Sequence, residues 1–228
     1  MSENQNSPTS ELDRLISVVH ENPESEDARF DLGVFYGKLG RYEEAIKEFQ
    51  EAVRINPKNE ATRYNLGAFY FKLGKFLEAK KTYNEVLEFN PDYIAAHYGL
   101  GVVFNQLEEY EEAIERYHKV ADSKPEFGEV RYRLGIVYFL IEKYEESIEA
   151  LKETIRIIPE HSEAHFNLAA AYDKAGDGKN AIIHMTVAEL VFGQKGDQDR
   201  QKQCGDQLRQ LYPKYNYTPE DFCLPPLN

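Results

Sequence analysis

The spacing in this chain that looks most like a site is HSEAH, where His161 and His165 stand four residues apart with Glu163 between them. Two imidazoles at that interval can share one face of a helix and hold a divalent metal. Against that, His161 falls in the loop before the helix and no third ligand is apparent, so no metal is expected. The two cysteines, Cys204 and Cys223, lack paired C-x-x-C spacing, and a free thiol on a packed helix face is inert. Every glycine is accounted for by packing or turn positions, which leaves no glycine-rich loop to cradle phosphate. The acidic runs Glu108-Glu109-Tyr110-Glu111-Glu112 and Glu145-Glu146 sit at a turn and a helix start, where carboxylates favour the helix dipole. They read as a solvated face. Neither catalysis nor a cofactor is expected.

A recurring basic column is more informative. Arg29, Arg63, His97, Arg131 and His165 follow one another at intervals of 34 residues. As a ladder, they would recognise an acidic partner or nucleic acid, with arginine suited to bidentate pairing. As packing, their stems would lie on adjacent helices and their heads would pair with glutamates. The formal net charge of -13, from 27 basic and 40 acidic residues, favours packing and argues against nucleic acid.

The elements that must carry these columns follow from the prolines. Pro23, Pro57, Pro91, Pro125 and Pro159 recur every 34 residues, and blocks cut at that period align without insertion. Each block has a leucine and a small residue (Leu32-Gly33, Leu66-Gly67, Leu100-Gly101, Leu134-Gly135, Leu168-Ala169), then an aromatic at 36, 70, 104, 138 and 172. That spacing predicts one helical face. A break such as LGRY or LGKF follows, where Gly40, Gly74 and Gly176 suit a left-handed helix cap. The second half, as in EEAIKEFQEAVRINP, carries a helix-period apolar stripe closed by proline. A helix pair this short cannot bury its own faces, so consecutive pairs must stack. The small residues at 33, 67, 101 and 135 are expected to face Ala45, Ala79, Ala113 and Ser147 where the two backbones approach.

The period, the Leu-Gly-x-x-Tyr core, the Tyr/Phe-x-x-Ala of the second helix and the closing proline resemble the tetratricopeptide repeat over about residues 26 to 193. The resemblance implies an all-α fold, a right-handed superhelical solenoid of five helix-turn-helix repeats with a capping helix at each end. Departures are the basic column, where the family often has a large apolar residue, and a degenerate fifth copy with Gly178, Met185 and no closing proline. The expected organisation is a disordered N-terminus (1–9), a capping helix (10–25), five repeats (26–59, 60–93, 94–127, 128–161 and 162–193), a second capping helix (194–212), and an extended or disordered tail (213–228).

The resemblance also implies a concave face, lined by the first helices, that binds a peptide or helix of a partner. The residues placed there are Phe30, Tyr64, Ala68, Phe71, Tyr98, Val102, Tyr132, Ile136, Phe139 and Phe166, with Val34 and Ala170 beside them. Two compatible readings stay open for the rings, packing on the adjoining helix or contact with a ligand. The family's clamp for the C-terminal carboxylate of heat-shock chaperones is not expected. Its positions hold Phe30, Val34, Asn65, Ala95 and Gly99, of which only the asparagine matches.

The functional expectation is therefore a non-enzymatic interaction module or scaffold. The alternative is a self-assembling chain whose apolar tail, Tyr215 to Leu227, occupies its own or a neighbour's groove. The opening MSENQNSPTS has no basic and apolar leader pattern, and no apolar run is long enough to span a membrane. With so few cysteines, a cytoplasmic protein is expected.

Overall fold

The computed structural model describes residues 8–222; the expectations for residues 1–7 and for Cys223 to Asn228 lie outside the described residues. The described residues form twelve α-helices and one short 3-10 turn, with no strand among them. None of the helices is long and apolar enough to cross a membrane. The chain divides into two compact units, residues 1–116 and 117–228.

The first unit contains α1 (Pro8–Glu21), α2 (Glu26–Lys38), α3 (Tyr42–Ile55), α4 (Glu60–Lys72), α5 (Phe76–Phe89) and α6 (Ile94–Gln106), and α7 (Tyr110–Ser123) leads into the second unit. The second unit continues with α8 (Gly128–Leu140), α9 (Tyr144–Ile157), α10 (Ser162–Ala175), α11 (Gly178–Gln194) and α12 (Gln198–Lys214), followed by the 3-10 turn Pro219–Asp221. Helix α1 begins at Pro8, two residues ahead of the cap read from the sequence, and α12 runs through Pro213. A proline is tolerated there because the helix ends one residue later, so few backbone bonds are at stake.

Each pair turns by one device. The backbone N–H of residues 41, 75, 109, 143 and 177 donates to the carbonyl of the first-helix aromatic at 36, 70, 104, 138 and 172, at 2.9 Å in every case. This is the six-to-one bond of a Schellman cap, and it needs a left-handed residue just before the donor. Gly40, Gly74 and Gly176 supply it with φ of 74°, 71° and 83°, while Glu108 and Glu142 adopt it at 60° and 59° without glycine's freedom. Helix starts are capped where the sequence allows: Ser25, Asn59, His161, Asp177 and Asp197 each accept a backbone N–H from the first turn.

Within pairs, the glycines do not primarily admit the small residue of the facing helix. A Cβ on Gly33 would meet the Phe49 ring at 3.1 Å, one on Gly135 would meet Leu151 at 2.6 Å, and one on Gly67 would meet the Tyr83 ring at 2.8 Å. Tyr83 is flanked again by Gly99 of the next first helix, where an added Cβ would lie 2.7 Å from the ring. The glycine column is thus a slot for the large second-helix residue. In the fourth repeat Ser147 does reach the expected neighbour, its hydroxyl donating to the Gly135 carbonyl at 2.7 Å.

The first unit's core gathers Leu15 and Val19 of α1 with Leu32, Tyr36, Phe49, Leu66 and Phe69. Fully burying a leucine or phenylalanine of this kind contributes about 1.5–3 kcal/mol. In the second unit, Ile182, Met185 and Phe192 of α11 pack with Cys204, Leu208 and Leu211 of α12, so α12 covers the last repeat. Burial pushes the Cys204 thiol up to about 11, so it stays protonated at neutral pH. The described part of the tail folds back on the same end. The Tyr215 ring lies over Gly178 and its hydroxyl donates to the Asp173 carboxylate at 3.0 Å, while Lys214 reaches that carboxylate at 2.8 Å.

Candidate functional site: the ring columns of the first helices

The side chains assigned to the groove from the sequence are all half-buried, so each keeps part of its surface exposed. In the first unit these are Phe30, Tyr64, Ala68, Phe71, Tyr98 and Val102. Phe30 meets Phe49 edge-on at 5.6 Å, and Phe71 leans on Phe76 across its own turn at 5.5 Å. Tyr64 lies between Tyr83, at 5.5 Å, and Tyr93, the residue that opens α6, at 5.7 Å. Burial raises the Tyr64 phenol above its usual range, and the nearby Tyr93 and Tyr98 hydroxyls add to this. The Tyr64 phenol stays neutral and hydrogen-bonding at physiological pH.

The second unit holds Tyr132, Ile136, Phe139 and Phe166. Tyr132 faces the His161 ring at 4.7 Å, and its hydroxyl accepts a hydrogen bond from Asn167 Nδ2 at 3.1 Å. His161 Nδ1 accepts the Ala164 N–H at 3.1 Å, which places the ring proton of the neutral imidazole on Nε2. Phe139 meets Tyr144 edge-on at 5.6 Å. Phe166 is roofed by the Arg200 guanidinium of α12 at 5.1 Å, and Arg200 is held by an ion pair with Glu163. The capping helix therefore closes the column at Phe166.

The basic column has a different task. Arg29, Arg63, His97 and His165 each donate to the carbonyl of the repeat-closing proline six residues earlier, Pro23, Pro57, Pro91 and Pro159. Their other contacts are on the second helix of the same pair. Arg29 pairs with Glu48 at 2.7 Å, Arg63 with Glu85 at 3.3 Å, and His97 Nδ1 faces Arg116 at 3.4 Å. His165 gives its Nε2 proton to Pro159, so its bare Nδ1 accepts from His184 Nδ1 at 3.1 Å. Arg131, like Arg63, has a buried Nε that has no hydrogen-bond partner. The HSEAH pair is not drawn together as ligands: one imidazole caps α10 and the other is engaged with Pro159 and His184. No group of three or more His, Cys, Asp or Glu among the described residues could hold a metal ion.

Sequence reasoning missed Tyr83, Tyr93, His161 and Arg200 as parts of the ring columns. A signal for two of them was present: Tyr93 and His161 occupy the same repeat column, immediately before a first helix. Tyr64 and Tyr132 rest on them from the first helix of the same repeat. Tyr83 needs the register of the helix pair, and Arg200 needs the docking of α12, neither of which the period encodes.

Two family profiles match the chain, one described as TPR repeat over residues 36–74 and 69–108, the other as tetratricopeptide repeat over residues 106–160. No curated protein matches it. Among solved structures, the chain is similar to a crystal structure of MamA protein, at 23% identity and TM-score 0.70, covering 77% of this chain and 96% of that one. A second, MamA 41-end from Desulfovibrio magneticus RS-1, gives 24% identity and TM-score 0.71, with coverage of 73% and 94%. A third is YrrB, described as a TPR protein with an unusual peptide-binding site, at 18% identity and TM-score 0.67, with coverage of 78% and 91%. At these identities the structural likenesses establish the fold.

Proposed function

Because the chain belongs to the tetratricopeptide repeat family, whose members bind peptides or proteins, we propose that it is a non-enzymatic scaffold that holds a peptide or helix of a protein partner on its first helices. The observation that carries this reading is the pairing of half-buried rings along the first helices, Tyr64 on Tyr93 and Tyr132 on His161. A ring fixed on one side by a neighbouring ring loses little entropy on binding and offers both an apolar face and a polar edge. The peptide-binding site described for YrrB, a protein of similar fold, is consistent with it. The acidic charge and the internal engagement of four of the five basic-column residues support a protein partner over nucleic acid, and with only Asn65 matching the chaperone-clamp positions the proposal does not include that ligand. The scaffold is proposed to act in the cytoplasm.

The test replaces Tyr64, Tyr98 and Tyr132 with alanine and compares thermal unfolding with capture of partners from lysate. Capture should be lost while the helical fold persists; unchanged capture on an intact fold would sink the proposal. The alternative, self-assembly through the tail, draws only on Tyr215 to Phe222, which pack on the last helices of their own chain. Light scattering before and after deletion of residues 214–228 separates the two. A mass above the monomer that falls on deletion favours the alternative.

A further inference from the structure

Within the first unit the ring face has a chemistry of its own, which rests on the first-helix reading and adds the class of ligand. Tyr64 and Tyr98 stand at equivalent places on α4 and α6, two first helices in contact with each other. The positions three before and four after each ring share its face. They are Ala61 and Ala68 on α4 and Ala95 and Val102 on α6, none of them buried. The position three before the ring is instead Asp27, Glu129 and Glu163 in the first, fourth and fifth repeats. In the second unit those carboxylates form ion pairs beside the rings, Glu129 with Arg133 at 2.8 Å and Glu163 with Arg200. A chain of formal net charge -13 thus keeps these positions uncharged in its second and third repeats.

What this stretch offers in place of charge is hydroxyls. Tyr93 leans on the Tyr64 ring at 5.7 Å, and the Tyr93 and Tyr98 phenols both lie near enough to the Tyr64 phenol to act on it. Glu60, the carboxylate that acts on Tyr93, is tied to Asn90 Nδ2 at 3.0 Å. Beside them is Asn65, whose amide donates to the Ala61 carbonyl at 2.8 Å and carries a second N–H. Neutral donors of this kind suit backbone carbonyls. A helical ligand has most of its carbonyls bonded internally, whereas an extended segment rich in proline presents unbonded carbonyls, few N–H groups and apolar rings. The spacing agrees. Three residues of polyproline II advance about 9 Å, which matches the roughly 8–10 Å between the axes of packed helices. One turn of such a ligand therefore spans the step from one first helix to the next.

We infer that the ring face of the first unit takes an uncharged, proline-rich segment of a partner protein in the polyproline II conformation. Its prolines lie on the Tyr64 and Tyr98 rings, over Ala68 and Ala95, and its carbonyls accept from the Tyr64 and Tyr93 hydroxyls. An acidic segment meets the net negative charge of the chain, and a basic one finds no carboxylate at these positions to pair with.

The experiment uses the full chain and fluorescence anisotropy at physiological ionic strength with three labelled synthetic peptides of equal length. The first repeats Pro-Pro-Leu, the second Ala-Gln-Leu, which favours a helix, and the third Pro-Pro-Lys. The Pro-Pro-Leu peptide should bind, and the other two at least about tenfold more weakly. Tyr64→Phe combined with Tyr93→Phe keeps both rings and removes only the hydroxyls, and should weaken Pro-Pro-Leu binding at least about fivefold. Tyr70→Phe, which loses a hydroxyl bonded to Gln50 on another face of α4, should leave that affinity unchanged. Thermal unfolding of each variant is read alongside, so that loss of fold is not taken for loss of contact. Tighter binding of the Ala-Gln-Leu peptide would overturn this inference while leaving the first-helix reading standing, since that reading falls only with the lysate capture. Equal binding of the Pro-Pro-Lys peptide would reduce the effect to bulk charge. That result, absence of Pro-Pro-Leu binding, or affinity undiminished in the folded double variant would each overturn the inference.

Discussion

Placing a methyl group on Gly67 should separate two effects that normally hide each other. On helix propensity alone, Gly67→Ala in the middle of α4 should stabilise the protein by about 1 kcal/mol. The structure sets a larger opposing effect. The new Cβ would lie 2.8 Å from Tyr83 Cε1 and 2.9 Å from Cδ1, whereas ordinary contact begins at 3.4 Å. The ring has little room to yield, because it is buried and also packs so close to Gly99 that a Cβ there would fall at 2.7 Å from it. Overpacking of this kind costs about 1–3 kcal/mol in helix and ring displacement, so the substitution should be net destabilising by up to about 2 kcal/mol. The sharper measurement is the same change in a Tyr83→Val background, which removes the ring. There the steric cost disappears and the sign should reverse, alanine stabilising by about 1 kcal/mol. Urea unfolding followed by circular dichroism at the helix band reads both arms of the cycle. Equal effects in the two backgrounds would show that the glycine column serves something other than the ring slot.

Three further expectations test other parts of the architecture. Glu108→Gly and Glu142→Gly relieve left-handed backbone at φ near 60° and should each raise stability by about 0.5–1 kcal/mol in urea titrations, whereas Glu109→Gly should lower it. Arg63→Met keeps the aliphatic stem but loses the Pro57 carbonyl and the Glu85 ion pair, and should cost about 1.5–3 kcal/mol, read as a lowered denaturation midpoint. His184 is held neutral by burial first and by the adjacent His165 second, its pKa pushed down to about 4, with Asp177 opposing the shift. Its unfolded value is about 6.5, so the unfolded chain takes up the proton first. The pair's contribution is complete above about pH 6.5 and is lost as pH falls toward 4, by up to about 3 kcal/mol. His184→Leu should flatten that part of the stability–pH curve, and an unchanged slope between those limits would contradict the assignment.

The basic column shows why some of the chemistry was hard to read ahead of the fold. Its residue types fit a ladder for acidic ligands as well as they fit packing, and charge balance alone favoured packing. What settles the role of Arg29, Arg63, His97 and His165 is the carbonyl of the preceding proline, brought within hydrogen-bond reach by the loop each repeat shares. A carbonyl has no side-chain signature, so no residue pattern announces it. Likewise the tyrosine and histidine partners of the ring column, Tyr93 and His161, are the last residues of their repeats, where the chain enters the next first helix. Their contact depends on how one pair stacks on the next.

By itself, the sequence determined the period, the helix pairs, the glycine turns and the placement of an aromatic on each first helix. These follow from local rules that act within a few residues: proline and glycine backbone limits, capping and the 3.6-residue period. Tertiary structure alone decided what each column touches. Gly67 receives the Tyr83 ring, and Arg200 of α12 roofs Phe166. Arg63 Nε and Arg131 Nε are left buried without a hydrogen-bond partner. These outcomes depend on side-chain direction and helix register, quantities that a shift of one residue along either helix would change without altering any local pattern.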